Sequence, residues 1–244
     1  MKKPSNNEPD IDQIEPTVSL VWLLIMALAS VGGATVAILV LPGWIPGMSA
    51  SILGEQPKVF WYLSRSSGFV AYILLWISMI MGVGITNKAA VIWPGLPSAI
   101  ELHQFFTILG VFFAVFHALI LMGDAYLKPT LVQILQPFAM IQYRPISVGL
   151  GQLAFYLWIV ITVSFYIRRR ITNKVWRLIH YFSYLMIAIA LVHGLSAGTD
   201  SSFNWASYLY WGTSILLLVM TVYRVVNARM KVAAKRQRQS PPAI

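Results

Sequence analysis

Apolar residues gather along the chain in six long runs, roughly 18–40, 59–85, 98–122, 147–167, 174–197 and 204–226, separated by short polar or turn-forming breaks. Each run reaches about 20 residues, the helical length that crosses a hydrocarbon core of about 30 Å. The breaks fall at clusters such as Leu41-Pro-Gly-Trp-Ile-Pro-Gly47 and Trp93-Pro-Gly-Leu-Pro97, where proline and glycine end helices. Ser98-Ala-Ile-Glu101 carries a capping-box pattern and predicts that the third helix starts there. The pattern predicts an all-α integral membrane protein, a six-helix transmembrane bundle over 18–226. A disordered N-terminal tail over 1–17 and a basic C-terminal tail over 227–244 flank it, and no internal repeat is evident.

Composition strengthens this picture. The chain is 58% hydrophobic and 11% charged, where soluble domains carry about a quarter charged residues. Cysteine is absent, which excludes disulfides, iron–sulfur clusters, covalently attached c-type haem and thiol catalysis. The N-terminal tail mixes Lys2 and Lys3 with Glu8, Asp10, Asp12 and Glu15, unlike the basic-then-apolar layout of a signal peptide.

The cations orient the bundle. With both termini cytoplasmic, the inner side holds fourteen of the eighteen, among them Lys2, Lys3, Lys88, Arg168, Arg169, Arg170, Lys174, Arg177, Arg224 and Arg229. The outer side keeps Lys58, Arg65, Lys128 and Arg144. This is a positive-inside bias, so a net charge of +10 is explained by topology and lipid headgroups. Nucleic acid is not needed as a partner.

Against this apolar background the four histidines stand out, all inside expected spans: His103 and His117 on the third, His180 and His193 on the fifth. Both spans run outward, so His103 and His180 fall at one depth near the inner face, and His117 and His193 at another near the outer face. The fourteen-residue step on one span rises about 21 Å and the thirteen-residue step on the other about 20 Å. Ionisable groups inside a membrane are costly and point to function, and neutral imidazole is a common axial ligand of haem iron. The plainer reading of each is an interhelical hydrogen-bonding group. Zinc is disfavoured, since no carboxylate, cysteine or short ligand spacing accompanies them.

One geometric difficulty stands. Fourteen helical positions return to within about 40° of the starting face, but thirteen leave the second histidine about 140° away. Ring rotamers, a tilted haem or local unwinding at Gly194, just after His193, could absorb this. Gly110, midway between the histidines of the third span, leaves room for a neighbouring helix or a macrocycle edge. Phe112, Phe113 and Phe116 lie beside the rungs and read as packing.

The histidine spacing resembles that of the ferric reductase transmembrane domain, shared by ferric reductases, NADPH oxidases and bacterial stand-alone relatives. The strings "WYLSRSSGFVAYILLW", "YRPISVGLGQLAFYLW", "RRRITNKVWRLIHYFSY" and "HGLSAGTDS" add to the likeness, which covers about residues 58–226. The resemblance implies two b-type haems, the inner one ligated by His103 and His180 and the outer one by His117 and His193. It also implies an electron path from a cytoplasmic or membrane donor to an acceptor outside. With no soluble α/β stretch and no G-x-G-x-x-G after a strand in this sequence, a flavin and nicotinamide domain like that of the oxidases is not expected on it. The expected donor is therefore a separate protein or a quinol, and any flavin sits on a partner. The outer acceptor is left open, and so is service as a haem-bearing subunit of a larger complex, such as a methionine sulfoxide reductase-type system. The expected location is a bacterial inner membrane.

Arg65 lies at the depth of His117 and His193. A buried arginine needs an anion, and an outer-haem propionate is the candidate, supported by the matching arginine of the resembling family; snorkelling to headgroups is the plainer reading. Asp124 and Asp200, the acids near the same face apart from Glu55, read first as solvated turn residues and otherwise as groups that bind a cation or protonate a reduced acceptor, while Glu101 reads as a charge at a helix N-terminus. The connection from Gly123 to Pro145 contains "PTLVQILQPF", which predicts an interfacial helix that either lids the outer site or seals the bundle.

Overall fold

A computed structural model describes residues 14–87 and 95–239. The expectations for residues 1–13, Lys88 and the Trp93 side of the second break lie outside the described residues, as do those for the side chains of Lys235, Arg236 and Arg238. Nine α-helices are found among the described residues: α1 (Leu20–Leu39), α2 (Pro46–Ile52), α3 (Val59–Thr86), α4 (Leu96–Ile120), α5 (Leu131–Leu135), α6 (Pro145–Tyr166), α7 (Arg168–Ile171), α8 (Asn173–Ala197) and α9 (Asn204–Gln239). No strand occurs there. Six of these helices, α1, α3, α4, α6, α8 and α9, are long and apolar enough to cross a membrane. Their outward faces stay apolar, with Leu28, Leu39, Leu178 and Leu218 all more than 60% exposed.

Local chemistry sets the boundaries. Ser19 caps α1, accepting from the Trp22 amide at 3.3 Å. Helix α4 starts at Leu96, two residues before the expected capping box, with Gly95 at φ 99° as its N-cap and no side-chain cap. Pro97 then falls in the first turn, where its missing N–H costs nothing. Glu101 consequently lies beyond the first turn, exposed to the surroundings. The Leu41–Gly47 break folds as a 3-10 turn followed by α2.

The expected tail over 1–17 ends sooner than the composition suggests, because residues 14–18 are tied to the bundle. Thr17 N donates to Gln104 Oε1 at 2.9 Å, Tyr166 Oη donates to the Val18 carbonyl at 2.9 Å, and the buried Arg168 donates to the carbonyls of Phe165 and Ile14. At the other end α9 runs on to Gln239 with no break at 226. Within the bundle, α4 packs most extensively along α3 and also against α1, while α8 packs along α6. Helices α4 and α8, which carry the histidines, do not form an extensive backbone contact with each other. The largest buried cluster joins Leu75 and Val83 of α3, Val111 of α4, Trp158 and Ile161 of α6, Met186 of α8 and Leu217 of α9.

Candidate functional site

The four histidines come together as two pairs. The ring centres of His103 and His180 lie 6.1 Å apart with planes at 71°, and those of His117 and His193 lie 6.2 Å apart with planes at 78°. No hydrogen bond joins the two rings of either pair among the described residues.

Three of the rings are oriented by backbone carbonyls. His103 Nδ1 donates to the Ser78 carbonyl at 2.8 Å, His117 Nδ1 to the Ser64 carbonyl at 2.6 Å and His193 Nδ1 to the Ser147 carbonyl at 2.8 Å. A carbonyl can only accept, so Nδ1 carries the proton and Nε2 keeps its lone pair for the far side of the ring. On α3 the serine hydroxyls return the contact: Ser64 Oγ donates to the His117 carbonyl at 2.9 Å and Ser78 Oγ to the His103 carbonyl at 3.4 Å.

A glycine four residues after each serine makes room for the ring. A Cβ on Gly68 would stand 2.8 Å from His117 Nδ1, one on Gly82 3.3 Å from His103 Cε1, and one on Gly151 2.6 Å from His193 Nδ1. The unit is therefore Ser-x-x-x-Gly, present as Ser64/Gly68 and Ser78/Gly82 on α3 and as Ser147/Gly151 on α6. The two α3 copies are fourteen residues apart and match the fourteen-residue step between His103 and His117 on the antiparallel α4. Sequence reasoning missed these cradles, although the repeated serine–glycine spacing was there to be read.

His180 is held differently. Counting thirteen residues along α6 from Ser147 and Gly151 reaches Val160 and Ser164, and Val160 faces outward at 53% exposure. No cradle forms there, and no hydrogen bond reaches the His180 ring among the described residues. Instead the ring stacks on Trp176, one turn earlier, at 5.3 Å and 29°. Helix α8 remains unbroken, so local unwinding at Gly194, one of the ways to absorb the thirteen-residue step, does not occur, and its two histidines are supported by different means. Gly194 packs under Tyr210, whose Oη would lie 2.7 Å from an added Cβ. Gly110, between the rungs, takes the Trp158 ring of α6, 2.6 Å from where a Cβ would stand.

Paired ligands constrain what the site could hold. No group of three or more His, Cys, Asp or Glu side chains suited to a bare metal ion occurs among the described residues. Two imidazoles at each level suit a metal that brings its own equatorial donors, as haem iron does. A metal held by both rings of a pair through metal–nitrogen bonds of about 2 Å would need the ring centres about 6 Å apart. The observed separations of 6.1 and 6.2 Å fit that span.

Arg65 meets a carboxylate of the chain itself. Its Nε donates to Asp200 Oδ2 at 2.6 Å, and its Nη2 is ion-paired with Asp200 Oδ1. Asp200 is 6% exposed rather than solvated as expected. Asp124 is likewise buried, its Oδ1 accepting from the amides of Tyr126 at 3.1 Å and Leu127 at 2.8 Å and so stapling the turn. The helix of the long connection is the five-residue α5, capped by Thr130 and Gln133. Gln152 of α6 donates to the Gln133 and Ile134 carbonyls at 2.8 and 2.7 Å, and Tyr156 donates to the Leu135 carbonyl. Of the aromatics by the rungs, Phe112 is buried and Phe116 packs on the Phe60–Ile120 cluster.

Residues 59–200 match a family described as a domain of unknown function, DUF8596. The chain belongs to that family. The DUF8596 segment runs from the first residue of α3 to Asp200 and so contains all four histidines, the three serine–glycine cradles and both partners of the Arg65–Asp200 pair. No curated protein and no solved structure matches the chain.

Proposed function

We propose that this protein carries electrons across a membrane through two b-type haems, one held by His103 and His180 and the other by His117 and His193, as in the ferric reductase transmembrane domain it resembles. The observation that carries this reading is the pair of ring separations, 6.1 and 6.2 Å, at two levels of one helix bundle. The alternative of histidines bonded to one another is disfavoured, because no hydrogen bond links the rings within either pair.

Haem supplies a one-electron couple when bound. The chain's residues bind and orient. Carbonyls of Ser64, Ser78 and Ser147 fix the Nδ1–H tautomer and so present Nε2, an arrangement that also raises ligand basicity. Gly68, Gly82 and Gly151 let the rings seat against α3 and α6. Trp158, seated on Gly110, fills the interval between the levels and excludes water there. The apolar outward faces of the six long helices and the cation bias support a multi-pass membrane location with both termini cytoplasmic. In this orientation the His103–His180 level is the inner one, served by a separate donor protein or a quinol, and the His117–His193 level faces an outer acceptor. Assignment to a bacterial inner membrane rests on the resemblance alone.

Single variants test the reading. His117→Ala or His193→Ala should remove one haem and leave the other reducible from the cytoplasmic side, whereas His103→Ala or His180→Ala should block entry from that side. Equal loss of both haems in all four variants would contradict two separable sites.

A further inference from the structure

Between α8 and α9, at the His180 end of the bundle, lies a cavity of about 340 Å³ lined by Tyr181, Tyr184, Thr221, Arg224, Ala228 and Arg229, among others. Arg224 Nη1 donates to Tyr184 Oη at 3.2 Å. That contact fixes the guanidinium and uses one of its five N–H donors. Neither arginine has a carboxylate partner among the described residues, where the one ion pair is Arg65–Asp200.

The surroundings of Arg224 make an unmatched charge expensive. Its neighbours Val222, Tyr223, Val225 and Val226 present an apolar surface, 46–61% exposed, so the guanidinium sits on a stretch of helix suited to lipid rather than to water. A cation there calls for an anion. Two guanidinia and two phenols, drawn from two helices, offer more donors than the two oxygens of a carboxylate require. A phosphate presents its oxygens in a tetrahedral array that such donors can share, and arginine forks bind it through paired N–H groups. Tyr181, 56% exposed, leaves the cavity reachable from outside the bundle.

We propose that this cavity is a binding site for a phosphate group, carried by an acidic phospholipid or present as free phosphate. The lipid source rests on the membrane orientation proposed above, which puts the cavity at the cytoplasmic boundary, where basic pockets between helices hold acidic headgroups. The phosphate chemistry does not depend on that orientation.

The full-length chain in mild detergent is titrated separately with phosphatidylglycerol, phosphatidylcholine and inorganic phosphate, and bound ligand is counted by native mass spectrometry. Phosphatidylglycerol should be retained about tenfold or more over phosphatidylcholine, whose quaternary ammonium opposes the arginines. Arg224→Gln with Arg229→Gln should abolish that preference, and Arg224→Lys should keep most of it. Binding of inorganic phosphate that the same variants remove, without lipid preference, supports the site with free phosphate as its guest. A lipid preference unchanged in the glutamine variants, or no binding of either phosphate source, overturns the proposal. So does loss of haem with unaltered lipid binding in Arg224→Gln, which would make Arg224 a cofactor anchor. Where Arg224→Gln fails to fold, Arg229→Gln and Arg224→Lys decide. Recovery of the chain outside the membrane fraction would fail the membrane orientation instead, and inorganic phosphate alone would then decide the site.

Discussion

Arg65 and Asp200 close a guanidinium–carboxylate pair beside the His117–His193 level, one residue from the Ser64 carbonyl that receives the His117 ring. The pair ties α3 to the turn between α8 and α9. It thereby joins the support of His117 to the segment that follows His193.

Because each charge offsets the other, their removals should act in opposite directions. Arg65→Ala leaves Asp200 uncompensated and should lower the potential of the His117–His193 haem; Asp200→Asn leaves Arg65 uncompensated and should raise it. A shift of about 60 mV for one electron corresponds to roughly 1.4 kcal/mol. Redox titration with the other haem as internal control checks the signs. Shifts in the same direction, or none, would refute the paired arrangement.

The same pair should matter for stability. Removing one partner of a fully buried pair costs about 3–5 kcal/mol, and with the Arg65 side chain 25% exposed we expect about 1–3 kcal/mol here. Thermal unfolding of Arg65→Ala, Asp200→Asn and the double variant should show a double loss smaller than the sum of the singles.

The glycine cradles predict a graded series. Alanine at Gly151 or Gly68 would bring a Cβ to 2.6 or 2.8 Å of the histidine ring and force it to move, whereas alanine at Gly82 meets His103 at 3.3 Å and asks for a small adjustment. Haem content per chain should fall sharply in Gly151→Ala and Gly68→Ala and less in Gly82→Ala. Gly84→Ala, with nothing within 4 Å, should match the parent. Equal haem content across the series would remove the cradles from the account.

His180 depends on a stack instead of a carbonyl. An aromatic pair contributes about 0.5–1.5 kcal/mol beyond its buried area, so Trp176→Ala should weaken haem retention at the His103–His180 level several-fold and spare the other. Difference spectra during haem loss distinguish the two levels.

Much of this was legible from the chain. The six long apolar helices fall close to the six apolar runs, because continuous hydrophobicity over about 20 residues leaves few alternatives. The pairing of His103 with His180 and His117 with His193 followed from depth along two helices. Features set by local backbone geometry were harder. The Ser98 capping box lost to Gly95 and Pro97, which start α4 sooner. Asp200 read as a turn residue because its partner, Arg65, lies 135 positions away in sequence. The serine–glycine cradles were visible as spacing, but only the antiparallel register of α3 on α4 shows that their fourteen-residue step answers that of the histidines.

The central claim is best tested by counting haem. Protein produced with ample haem and purified intact should show a Soret band and two low-spin b haems per chain, both extractable in acidic acetone because no cysteine can tether them. A chain that is folded, helical and free of any Soret band under those conditions would contradict the account.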